Sequence, residues 1–200
     1  MGKGKIMGTV GIVSAMQEEI VAIVRKMKVT NTITIAKIDF HVGEIGKQKV
    51  VLARSGTGQV NAAICTQILI DHFKIIYMIS TGVAEALYPK INLGDIIISA
   101  NREGGKQDTI KELIETAKNA AEKVKGSPDV YIAEITSRYP VYYAEIEGPA
   151  MGHTCFLNEI PFMMIRVISD RVDQIVDMNH DDFVHLTVRK ISFIIEKMIK

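Results

Sequence analysis

Several acidic side chains and one arginine stand where apolar runs of this chain end, and their types suit work on a small, hydroxyl-rich ligand. In "YYAEIEGPAMGHTC", Glu145 and Glu147 flank Ile146 at the close of such a run, and Pro149 fits the first turn of a following helix. Alternation along a strand sends both carboxylates to one side unless the turn has already begun. Neighbouring carboxylates need partners, water or a polyhydroxylated ligand. In "MMIRVISDRVD", Arg166 interrupts what otherwise reads as a buried strand and Asp170 closes it. Arg166 suits pairing with one of the two glutamates. Two readings are open for Asp170: a ligand-facing acid oriented by Ser169 or backbone amides, or an aspartate capping a helix. "SAMQEEI" puts Met16 and Glu19 at another strand-to-helix turn, where Glu18 or Glu19 serves either the helix dipole or a ligand.

Those groups need a scaffold that brings strand ends together. Short β-branched runs recur as "TVGIV", "TITIAKI", "DFHVGEI", "KVVLARS", "KIIYMIST", "DIIISA", "DVYIAEI", "VYYAEI" and "FMMIRVIS". Helical patterns fall between them over residues 18–27, 60–72, 109–124, roughly 149–158, and 181–200. Strands alternating with helices predict an α/β fold, a three-layer α/β/α sandwich around a mostly parallel sheet. The stretch "TITIAKIDFHVGEIGKQKVVLA" has no room for a crossover helix, so an antiparallel meander makes the central sheet mixed. In such folds ligands gather beyond the carboxyl ends of the strands, where the acids above lie.

Composition narrows the function. Two hundred residues, 48% of them hydrophobic, suffice for one domain over 1–200. Twenty-four basic residues against twenty-three acidic ones leave a net charge of +1, which gives no footprint for nucleic acid or an anionic membrane. The expected partner is a small molecule. No apolar stretch reaches the ~18 residues of a membrane span, and the opening residues read as a first strand rather than a leader. Cys65 and Cys155 have neither metal-ligand nor redox spacing and read as reduced core thiols of a cytoplasmic protein. His41, His72, His153, His180 and His185 show no ligand spacing, so neither a metal nor an organic cofactor is expected. Gly56-x-Gly58 before a helix lacks the third glycine and the ribose-reading acid of a dinucleotide site; close packing and exposed amides explain it better. "REGGKQ", residues 102–107, reads as a mobile loop.

Taken together, "GIVSAMQEEI", "SGTGQVNAA", "LGDIIIS", "AEIEGPA" and "IRVISDRVD" stand in the order found in a known family. On these pieces the chain resembles the purine nucleoside phosphorylase and nucleosidase superfamily, and within it the 5'-methylthioadenosine/S-adenosylhomocysteine nucleosidases. The resemblance implies a nucleoside phosphorylase-like fold, a cytoplasmic homodimer and hydrolysis of the bond between adenine and a 5'-thio-substituted ribose, a step of methionine salvage. It implies that Glu19 is the base for the attacking water, that Arg166 helps hold the water, and that Asp170 assists protonation of adenine N7. Met16, Ile146 and Glu147 fall at substrate-binding positions, with Glu147 on the ribose hydroxyls, and His180 falls near a pocket-lining aromatic. The sequence departs from the family pattern at Val83, Glu85 and Ala86 in "STGVAEAL", in a shorter segment at 101–109, and in "TSRYPV", which replaces a Ser-Gly-Asp-x-Phe segment. Two other readings therefore stand beside hydrolysis: a shortened, weakly catalytic nucleoside-binding relative, and a phosphate-dependent phosphorylase.

Overall fold

The computed structural model describes residues 8–100, 107–124, 128–134, 143–172 and 179–200. The segment 102–106, most of the shortened stretch at 101–109 and all of "TSRYPV" lie outside them.

Among the described residues, nine strands form one mixed sheet. β1 (Thr9–Ser14) is central and parallel to both β4 (Gln48–Arg54) and β5 (Ile75–Ala86), with Val10 opposite Val50 and Tyr77. β2 (Lys28–Ile35) and β3 (Ile38–Ile45) complete the antiparallel meander that ends in β4. Beyond β5 come β9 (Phe162–Arg171), β6 (Ile96–Ala100) and β7 (Val130–Glu134), while β8 (Tyr143–Ala144) pairs with the tip of β5. Both faces of the sheet are covered. Ile12, Ile79 and Ile165 pack against Ile20 and Ile23 of α1 (Gln17–Val24), Leu113 of α3 (Gln107–Ala121) and Ile191 of α5 (His180–Ile199). Their neighbours Val13, Met78 and Met164 pack the opposite way, against Cys65 of α2 (Gln59–Phe73) and Met151 of α4 (Gly148–Leu157). Burial on both faces is why these strands are apolar at consecutive positions instead of alternating.

Tertiary pairing moves several boundaries from where local pattern puts them. α1 ends at Val24, because the amides of Lys26 and Met27 turn back onto Ile23 and Val24 and deliver the chain into β2. Gln107, read as part of a loop, is helical. β5 continues past Thr81 to Ala86, since β8 and β9 supply ladder partners for Glu85, a residue of low strand preference. β9 runs through Asp170 to Arg171, so Asp170 lies in a strand, and the cap of α5 is Asn179, whose side chain accepts from the Asp181 amide at 3.1 Å. Cys65 and Cys155 are free and buried, and burial pushes each thiol up to about 12.

Candidate active site

At the carboxyl end of β1, and against the middle of the longer β5 and β9, lies a cavity of about 170 Å³. Met16 and Glu19 enter it from the start of α1, Ser80, Thr81, Gly82 and Val83 from β5, and Arg166 from β9. Glu145, Ile146 and Glu147 enter from the turn before α4.

Glu19 serves its helix and the cavity together. The Met16 amide donates to Glu19 Oε2 at 3.2 Å, which satisfies a free N–H at the helix start. The same carboxyl is only 2% exposed, and burial raises it to about 7 against the favourable influence of the Met16 amide, the Arg166 charge, the Val83 amide and the Ser14 hydroxyl. A carboxyl poised near neutrality can exchange a proton with water at working pH. Gly82 leaves the space in which Glu19 and Arg166 approach each other: a Cβ there would stand 3.2 Å from Glu19 Oε1 and 3.8 Å from the Arg166 guanidinium carbon. Behind Glu19, the hydroxyls of Ser14 and Thr81 share a hydrogen bond of 2.5 Å.

Arg166, 3% exposed, is fixed against the cavity wall. Its Nη2 donates to Ser80 Oγ and to Glu145 Oε2, each at 2.9 Å, and its Nη1 to the Ile165 carbonyl at 3.2 Å. Glu145 is thus the glutamate that pairs with it. Glu147 goes elsewhere: its Oε1 accepts from the Gly58 amide at 2.8 Å, tying the start of α4 to the "SGTG" turn before α2. Strand alternation does not sort the two glutamates, because the strand stops at Ala144 and the chain is already turning at Glu145. Both still reach the same cavity.

Met16, Glu19, Ile146, Glu147 and Arg166 are therefore gathered around one space, whereas Asp170 is not among the residues that line it. Asp170 is exposed at the tip of β9, accepts from the Ser169 hydroxyl at 3.0 Å, and stands in register with Glu85 of β5. His180 opens α5, and its side chain lies outside the described residues. Ser14, Ser80 and Thr81 were not singled out by sequence reasoning. The available signal was a set of hydroxyls in otherwise apolar runs, and it becomes informative only once β1, β5 and β9 are adjacent.

A cavity of this composition, at the carboxyl edge of a mixed sheet between two helical layers, defines a class of α/β enzymes that act on small polar ligands. The chain belongs to the phosphorylase superfamily, whose family model matches residues 9–133. A 5'-methylthioadenosine/S-adenosylhomocysteine nucleosidase of Staphylococcus carnosus (strain TM300) is 31% identical over 225 residues, an alignment covering 96% of this chain and 99% of the relative. That alignment is longer than the chain's 200 residues, so the relative has residues that this chain lacks. The same fold occurs in the nucleosidase of Colwellia psychrerythraea 34H in complex with adenine, with a TM-score of 0.82, 23% identity, and coverage of 96% of this chain and 94% of that one. It occurs again in the futalosine hydrolase of Helicobacter pylori strain 26695, with a TM-score of 0.80, 19% identity, and coverage of 97% and 98%.

Proposed function

We propose that this chain hydrolyses the N-glycosidic bond of adenine nucleosides such as 5'-methylthioadenosine or S-adenosylhomocysteine, releasing adenine. The observation that supports it best is the charge of the cavity: among the described residues, the carboxyls of Glu19, Glu145 and Glu147 line it against the guanidinium of Arg166, itself already paired with Glu145. Such a site favours the positive charge that develops on a sugar as its base departs, and it opposes entry of a phosphate dianion. In this reading the water oxygen bonds to the anomeric carbon as the carbon–nitrogen bond breaks, and its electron pair leaves with the purine. Glu19 takes a proton from the water, Arg166 holds the water, Glu147 receives the ribose hydroxyls, and Asp170 assists protonation at N7. Met16 and Ile146 pack against the nucleoside. No metal or organic cofactor takes part.

Free-base release from a panel of nucleosides, with and without phosphate, tests the reading. Adenine release independent of phosphate is expected; strict dependence on phosphate overturns hydrolysis. One observation favours a second reading, a weakly catalytic nucleoside-binding protein: Asp170 stands off the cavity beside Glu85. Binding without release of base supports that alternative.

We read residues 1–200 as one domain that works in the cytoplasm, in methionine salvage, as a homodimer. No helix among the described residues is long and apolar enough to cross a membrane. The dimer contact is assigned to α2, where Val60 is 72% and Ile64 44% exposed, so that a second copy closes the cavity. A solution mass showing only monomer at micromolar concentration overturns this assembly.

A further inference from the structure

Resting on the hydrolytic reading above, we propose that Glu145 is a positioning residue: it draws the Arg166 guanidinium onto the cavity wall and so leaves the water-activating carboxyl of Glu19 without an ion-pair partner. The geometry supports this from both ends. Arg166 Nη2 is held by Ser80 Oγ and Glu145 Oε2 at 2.9 Å each, and Glu145 Oε2 is itself anchored by the Gly148 amide at 2.9 Å. That seat is built for a carboxylate. A methyl group at position 148 would overlap both the Glu145 carboxyl and the Met164 sulfur, so glycine is the residue that lets Glu145 fold back over the start of α4.

Glu19 shares the cavity with that guanidinium and, among the described residues, makes no ion pair. The charged groups sharing its cavity are Arg166 from β9 and Glu145 and Glu147 from the turn before α4; Ser14 of β1 and the Val83 amide of β5 are its neutral neighbours. An arginine free to close on Glu19 would favour the charged carboxylate and make it a weaker base. Held by Glu145, it stays near enough to orient water while Glu19 remains able to take up a proton close to neutral pH. Glu145 touches neither the water nor the sugar in this scheme and acts through Arg166.

A titration of the free protein tests the idea without relying on turnover. Protein labelled with ¹³C at the glutamate carboxyl is followed by NMR across pH, and Glu19→Gln identifies the Glu19 resonance. Glu145→Gln is expected to lower the Glu19 midpoint by about one pH unit or more. In an Arg166→Gln background the same substitution should move it much less, because the go-between is gone. A midpoint that stays or rises in Glu145→Gln overturns the proposal, as does an equal fall in the Arg166→Gln background. Should Glu145→Gln fail to fold, Glu145→Asp takes its place: it keeps the charge but is one methylene shorter and loosens the 2.9 Å contact with Arg166. The Glu19 midpoint is then expected to fall, by less than in Glu145→Gln, and a midpoint that stays or rises overturns the proposal. If no nucleoside is cleaved, the hydrolytic reading fails, yet the titration still reports whether Glu145 governs Glu19.

Discussion

Arg166 and Asp170 lie four residues apart on β9, yet their surroundings differ. Arg166 is buried, with donors engaged by Ser80, Glu145 and the Ile165 carbonyl, while Asp170 is exposed and accepts from the neighbouring Ser169 hydroxyl. The difference comes from what packs above the strand. At Arg166 the start of α4 folds over, bringing Glu145 and the Gly148 amide. At Asp170 the neighbour across the ladder is Glu85, another acid. In the proposed mechanism, the end assigned to water and sugar is therefore preorganised by Arg166's contacts, whereas the end assigned to the base keeps its acid at a strand tip. Preorganised charge costs no rearrangement at the moment of reaction, so the buried end should dominate the chemistry.

Four measurements can break or sharpen that contrast. The largest effect is expected for Glu19→Gln, which should lower adenine release by ~10²–10⁴-fold with the fold intact, the scale of losing a positioned base. Retained turnover would remove the buried end from the mechanism. Asp170→Asn follows, with a loss of about 100-fold if the strand-tip acid protonates the base. Unchanged turnover would mean that the exposed end only supports the fold. Glu147→Gln weakens a charged acceptor of the Gly58 amide and, in the proposed reading, of ribose hydroxyls; its KM should rise about 10-fold, consistent with the ~1.5–3 kcal/mol of a charge-assisted hydrogen bond. Steady-state kinetics separates that rise from a loss in kcat.

The remaining effect is on stability, and its sign follows from burial. The Glu19 carboxyl is raised in the folded protein from 4.5 to about 7, so folding favours its neutral form. The stabilising contribution is fully present below about 4.5 and is lost as pH rises through about 7. Glu19→Gln cannot ionise and should be more stable than wild type above that range, by at most about 3 kcal/mol. Denaturant unfolding of both proteins across this pH range measures the gap. A gap that shrinks as pH rises would show that Glu19 is not held in a desolvated site.

Much of the scaffold was legible from pattern alone. Consecutive apolar positions announced strands covered on both faces, and the absence of helix-length spacing between residues 33 and 53 announced the meander. Local rules read less well where neighbours in space overrule them. β5 keeps strand geometry through Glu85 because β8 and β9 flank it, and the pattern around residue 81 had no means of recording that.

By itself the sequence determined the three-layer α/β/α order, the mixed sheet with its antiparallel meander, and the placing of acids and an arginine in or at the close of apolar runs. These follow from periodicity and turn chemistry, which act over a few residues. Only the tertiary structure decided that Arg166 takes Glu145 and not Glu147, that Glu147 reaches the amide of Gly58, and that Asp170 stands apart from the cavity. Each of those outcomes depends on groups distant in the chain meeting in a space whose burial sets the strength of their charges. The Glu19 carboxyl becomes a base near neutrality because the fold has excluded the water that would otherwise keep it ionised.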